Sequence, residues 1–266
     1  MPRDVTELFD GQARDFDQRA GLPDEWCRRI AAGVLEAGKI GRGDLIVEIG
    51  AGTGQIGAEL AASRRYIGVD RSFEMLRRFR ERLTRVPGAH VLVRADANRV
   101  WPVASKSARV VFASRALHLL DRDWVAEEVC RVAARVGATL ITGRIERAPD
   151  SVRERMAVRM RSLLRARGLQ PRGDRDHCGI VDALVSRGAV PLDPVTAASR
   201  RVTVTARMSL EAWRRLPGLG GVSVTDEVRA EVVEQLAAWA SDAFGGLDRP
   251  LESQEAYVLR PCKLIC

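Results

Sequence analysis

Glu48 sits in an apolar, β-branched run, Leu45-Ile46-Val47-Glu48-Ile49, that breaks into alternating glycines at Gly50, Gly52 and Gly54. A run bounded by turn residues reads as a buried parallel strand, and the spacing of Ile56, Leu60 and Ala61 reads as the helix after it. The glycines then form a strand-to-helix turn, where a missing Cβ lets a ligand approach the backbone. The N–H groups at the helix start face whatever binds. A pyrophosphate gains nothing from a carboxylate just before such a turn, whereas an ammonium or sulfonium is attracted to it. The turn is expected to recognise a cation.

Further acids follow in order. Arg65-Tyr66-Ile67-Gly68-Val69-Asp70 reads as a second strand ending on Asp70, roughly 20 residues beyond Glu48, where a carboxylate in a βαβ unit meets ribose hydroxyls. Ser72 suits the cap of the next helix, with Met75 available to pack on a flat ring. Val91-Leu92-Val93-Arg94 reads as a third strand, followed by Asp96. A single Asp at a strand end is usually a turn former, but three acids in this order after a glycine loop are a stronger signal. Ala108–Ser114 reads as the fourth strand, and His118 follows it.

Glu48-Ile49-Gly50-Ala51-Gly52-Thr53-Gly54 resembles motif I of the class I S-adenosylmethionine-dependent methyltransferases. Arg115-Ala116-Leu117-His118-Leu119-Leu120 is similar to a segment of the small-molecule type related to ubiquinone and menaquinone biosynthesis. Phe9–Asp17 resembles that family's lead-in, with Phe16 where a tyrosine usually stands. The usual acid at the start of the fourth strand and the Pro-Gly-Gly turn before the fifth are missing, at Ser107-Ala108 and Arg135-Val136-Gly137. The resemblance implies S-adenosyl-L-methionine as cofactor and S-adenosyl-L-homocysteine as product. It implies cofactor contacts from Glu48, Gly50, Ala51, Gly52, Gly54, Asp70, Arg71, Met75, Asp96, Ala97 and Ser114. Asp96 would accept from the adenine amino group, and the Ala97 N–H would read a ring nitrogen. Phe16 and His177 are the expected substrate or lid residues. His118 is the candidate general base, its alternative being a residue that packs and shapes the pocket.

The elements that must position these residues follow. Residues 1–40 read as N-terminal helices, 41–145 as the cofactor-binding core, and 146–266 as helical lid insertions plus a final strand pair. The expected fold is α/β: a doubly wound, mostly parallel, seven-stranded Rossmann-like sheet with an added helical lid. A lid favours a small-molecule acceptor, because a polymer wants an open, basic groove.

Composition bounds the partners. The 266 residues can bury a full core, and no apolar run approaches the roughly 18 residues needed to span a bilayer. Charges at Arg3, Asp4, Glu7 and Asp10 argue against a signal-peptide core. The five cysteines, Cys27, Cys130, Cys178, Cys262 and Cys266, are scattered and odd in number, so free thiols and the cytoplasm are expected, with no metal site. The net charge of +8 invites a nucleic-acid reading. Only Lys39, Lys106 and Lys263 of the 43 basic residues are lysines, a bias typical of a GC-rich bacterial genome, and the arginines are spread along the chain. The densest run, Arg153 to Arg167, decorates an amphipathic helix and reads as a solvated face, without the aromatic interleaving that stacks bases. Nucleic acid is therefore an unfavoured partner. Two alternatives stay open: a nucleic-acid methyltransferase, and an NAD(P)-dependent oxidoreductase using the formal G-x-G-x-x-G at Gly52, Gly54 and Gly57. The acceptor and the oligomeric state are not legible.

Overall fold

The computed structural model describes residues 10, 13–14, 16–134, 137–171, 176–216 and 218–265. Among them lie β1 (Leu45–Ile49), β2 (Arg65–Asp70), β3 (His90–Arg94), β4 (Ala108–Ser114) and β5 (Thr139–Arg147). They pair in parallel in the order β3-β2-β1-β4-β5. The order reverses beside β1, so the chain leaves β1 and β4 toward opposite sides and a crevice opens at their carboxyl ends. Beyond β5 the sheet continues through β10 (Leu251–Lys263) to β6 (Val190–Pro191), and β7 (Val195–Val204) also pairs with β10. The described sheet thus has eight strands where the sequence pattern predicts seven. The extra one, β6, is two residues long and contains a proline, which leaves no period-two pattern to read. A separate hairpin joins β8 (Gly218–Leu219) to β9 (Val222–Ser223).

The helices start where caps allow. After the short α1 (Phe16–Ala20), α2 (Asp24–Ala37) begins behind Pro23 and buries Trp26, Ile30 and Val34 along one face. The five-residue α3 (Gly57–Ala61) follows the glycine turn. Ser72 caps α4 (Phe73–Leu83), its hydroxyl accepting from the Met75 N–H at 3.2 Å. Asp121 does the same for α5 (Arg122–Val132), accepting from Trp124 N–H at 2.9 Å. Further on come α6 (Val152–Arg165), α7 (Asp176–Val185), α8 (Ala206–Arg214) and α9 (Asp226–Phe244).

The chain divides into two compact units. The first comprises Met1–Arg144, Arg175–Ala198 and Tyr257–Cys266; the second comprises Ile145–Asp174 and Ser199–Ala256. The first unit thus holds the N-terminal helices, the strands β1 to β4, α7 and β6. The first unit buries Val47, Ile49, Val111, Val129 and Leu140 together. The second has its own core, from Val152, Met156, Met160 and Leu164 on α6 to Val232, Leu236 and Phe244 on α9.

Two expectations need correction. Cys130 is disulfide-bonded rather than a free thiol, whereas Cys27 and Cys262 are free and buried. The arginine run on α6 is also more than a solvated face. Arg153 pairs with Glu255 at 2.6 Å, Arg161 pairs with Glu154 at 3.1 Å, and the Arg155 guanidinium lies 4.8 Å from the centre of the Phe244 ring.

Glu255 is 1% exposed and accepts from Arg147 at 2.8 Å, Arg153 at 2.6 Å and Arg200 at 3.1 Å, all within the second unit. Burial pushes its carboxyl up, but the arginines, Arg147 foremost, outweigh it and hold the pKa below the usual value. A depressed folded pKa stabilises above the unfolded value of 4.5 and stops doing so as acid protonates the group. Glu255→Gln is expected to lower unfolding free energy by about 1.5–3 kcal/mol at pH 7. In urea unfolding, that deficit should shrink as the pH falls below the carboxyl range.

Candidate functional site

A cavity of about 320 Å³ opens at the carboxyl ends of β1 to β4, wholly within the first unit. Its wall takes Glu48 and residues 50–56 from β1 and its turn, Val69 to Ser72 from β2, residues 95–98 after β3 and residues 114–116 after β4. Phe16, Leu22, Met75 and Leu120 complete it. The expected cofactor residues, from Glu48 through Ser114, all line this one cavity, and so does Phe16.

The turn needs its glycines for different reasons. Gly50, Gly52 and Gly54 have φ of 70°, 55° and 77°, a region costly to residues with a Cβ. A Cβ on Gly54 would collide with the Phe79 ring, and one on Gly50 with Ala116. At Gly52 the nearest atom is a full 4.0 Å away, so that glycine keeps ligand space empty rather than protein space. The turn is stitched to the second strand: Gly50 N–H and Ala51 N–H both donate to the Val69 carbonyl, at 2.9 and 3.1 Å.

Asp70 makes the next tie. One carboxylate oxygen accepts from Gly52 N–H at 2.8 Å and the other from Ser72 N–H at 2.8 Å. Each oxygen keeps a further lone pair for a ligand hydroxyl. Burial raises the Asp70 pKa, and the backbone donors of Ser72, Gly52 and Arg71 oppose that rise. Asp10, which accepts from the Ser72 hydroxyl, adds like charge. Asp96 accepts from Asn98 N–H at 2.9 Å in an Asx turn that holds the strand-end loop against the cavity.

Glu48 is 3% exposed and accepts from the Tyr66 phenol at 2.5 Å. Burial pushes its carboxyl up to about 8; the phenol hydrogen bond opposes the rise and the Asp70 charge adds to it. A buried acid poised near neutrality ionises readily when a cation arrives beside it. On the β4 side, the Ser114 hydroxyl lies 2.5 Å from the Tyr257 phenol, whose pKa burial raises further. The N-terminal helix is tied to the turn as well: Thr53 Oγ1 donates to Asp17 at 2.6 Å, and Asp17 pairs with Arg82.

The histidines fall elsewhere. His118 lies half-buried on the single turn Leu117–Leu119, and the cavity wall includes Ala116 and Leu120 but not His118. His118, the expected base, is thus not one of the residues that line this cavity. The side chain of His177 lies outside the described residues. Tyr66, Arg115 and Tyr257 are missed by the sequence reading. Tyr66 carries a signal, since period-two alternation puts it on one face of β2 with Gly68 and Asp70, and Gly68 pairs in register with Glu48. Tyr257 carries none, being 143 residues from its partner Ser114. Among the described residues, no cluster of three or more His, Cys, Asp or Glu can hold a metal ion, and no helix is long and apolar enough to cross a membrane.

Residues 46–137 match the methyltransferase domain family. That domain holds the glycine turn, Asp70, Asp96 and Ser114. No curated protein matches the chain in sequence. Among solved structures, a proposed type II methyltransferase from Anaeromyxobacter dehalogenans is 20% identical, with TM-score 0.54 over 87% of this chain and 94% of that one. A proposed methyltransferase from Bacillus halodurans is 13% identical, with TM-score 0.57 over 88% and 97%. The [4+2]-cyclase SpnF is 15% identical, with TM-score 0.56 over 98% and 94%. These likenesses establish a Rossmann-like methyltransferase fold. The cyclase shows that the fold alone does not fix the reaction.

The Glu48 geometry has a measurable signature. Its raised folded pKa means that the folded chain holds a proton the unfolded chain has released between pH 4.5 and about 8. Stability therefore falls as the pH rises through that window. Glu48→Gln should abolish this component, narrowing or reversing the stability gap to the parent by on the order of 3–5 kcal/mol between pH 5 and pH 8. Denaturant unfolding of both proteins across that range is the measurement.

Proposed function

We propose that this chain is an S-adenosylmethionine-dependent methyltransferase acting on a small molecule. The observation that carries the reading is the placement of three acids, Glu48, Asp70 and Asp96, around one cavity whose glycine turn leaves space open at Gly52. The residues fit the cofactor group by group. Glu48 offers a carboxylate to the cationic amino acid end, Asp70 offers lone pairs to ribose hydroxyls, and Asp96 with Ala97 and Met75 offers polar and apolar partners to adenine. When bound, that cofactor supplies a methyl group activated by a positive sulfur. The chain's task is then to orient the acceptor and keep water out, and positioning of this kind is worth several kcal/mol of barrier.

The apolar lining from Phe16, Leu22, Ile56 and Leu120 supports an acceptor of modest size. Kinship with the ubiquinone and menaquinone type rests on the segment Arg115–Leu120. With His118 off the cavity wall, no proton step is assigned to it. An acceptor already ionised, or one that loses its proton to water, needs no base. A dinucleotide fits less well: Asp70 would suit its ribose, but Glu48 just before the turn gives its pyrophosphate nothing, and Asp96 is left without a role.

Three measurements test the reading. In calorimetry, S-adenosylmethionine and S-adenosylhomocysteine should bind while NAD does not; NAD binding with no response to either sulfur compound overturns it. S-adenosylmethionine binding at pH 7 should also release a proton as Glu48 ionises, seen as heat that depends on the buffer's ionisation enthalpy. Asp70→Asn should weaken S-adenosylhomocysteine binding by about 1.5–3 kcal/mol. An unchanged dissociation constant would place the ribose elsewhere.

A further inference from the structure

Arg115 directly follows β4 and lines the cavity, yet it adopts a left-handed backbone, φ 58°. Three other left-handed residues facing the same cavity, Gly50, Gly52 and Gly54, are all glycines. Such an angle is costly for a residue with a Cβ, and of the described non-glycine residues that adopt it, Lys39, Lys106 and Arg115, Arg115 alone lines the cavity. The backbone is fixed by its neighbours: Arg115 N–H donates to the Gly143 carbonyl on β5 at 3.1 Å.

The charges around the cavity are separated. Glu48, Asp70 and Asp96 gather where β1, β2 and β3 end, with Arg71 beside Asp70. Arg115 is the cation where β4 ends, next to Ser114 and its Tyr257 partner. Its positive charge opposes part of the burial-driven rise of the Tyr257 phenol, the partner of Ser114.

We propose that Arg115 selects the acceptor, and that the acceptor carries a carboxylate. This rests on the methyltransferase reading above and gives its acceptor a chemical class. A guanidinium presents two parallel N–H donors that match the two oxygens of a carboxylate. A phosphate carries more charge than one guanidinium balances, so a carboxylate is the closer match. The separation also suits catalysis, because an anion held at the β4 end keeps the acceptor clear of the acids that serve the cofactor.

Ligand-observed NMR on the S-adenosylhomocysteine-loaded protein tests this with benzoate, salicylate and octanoate, the matching primary amides, and phenyl phosphate. The acids should bind at least tenfold more tightly than their amides. Arg115→Gln should remove that preference and Arg115→Lys should keep part of it, with S-adenosylhomocysteine affinity held within about twofold as the check on folding. Amides binding as well as acids, a preference that survives in Arg115→Gln, or no acid binding at all would overturn the proposal. Phenyl phosphate binding more tightly than benzoate would overturn the carboxylate assignment. Should S-adenosylhomocysteine itself fail to bind, the cofactor reading falls, and the same panel on the unloaded protein still reads the role of Arg115.

Discussion

The Asp70 carboxylate, held at the end of β2 by backbone donors on either side, is the tie on which the site depends. Through Gly52 N–H it fixes the glycine turn, and through Ser72 N–H it fixes the entry to α4. Ser72 in turn caps that helix and reaches Asp10 with its hydroxyl. One side chain thus sets the distance between the loop that faces a ligand and the strand end that must meet the same ligand. Its desolvation cost is offset in part by charge-assisted bonds to peptide N–H groups, which hold their direction better than a flexible lysine or arginine would.

The first unit shows how a parallel sheet turns sequence order into spatial grouping. Glu48, Asp70 and Asp96 are far apart in the chain, but each stands at or just beyond the carboxyl end of its strand, and adjacent strands bring them to one rim. The second unit organises its charges differently. There Glu255 is enclosed by arginines from β5, α6 and β7, a hub that links elements rather than facing a cavity.

Much of this was legible because it is local. The β1 glycine turn, the acid closing β2, the cap at Ser72 and the amphipathic face of α6 each follow from residues within a few positions of one another. What the pattern could not show is what depends on pairing at a distance: the Ser114–Tyr257 hydroxyl pair, the Glu255 hub, the two-residue β6 and the return of residues 175–198 to the first unit. Arg115 escaped for another reason, since nothing in a run of ordinary residues announces a left-handed arginine. A histidine just after β4 satisfies the spacing for a base, and the structure sets it on the turn Leu117–Leu119, between the lining residues Ala116 and Leu120.

The space around Tyr66 restricts how this sequence can drift. A Cβ on Gly57 would strike the phenol and come within 2.7 Å of the Glu48 carboxylate, and one on Gly68 would sit 3.0 Å from the same ring and from Leu92. A side chain at Gly57 would have to displace the tyrosine, Phe79 and Glu48, one at Gly68 needs the ring and Leu92 to give by a few tenths of an ångström, and the tyrosine cannot be lost without stripping Glu48 of its hydrogen bond. The four positions therefore form an epistatic set, in which a change at one alters what the other three tolerate. Lineages that share this arrangement would be expected to keep all four together or to have exchanged them as a group.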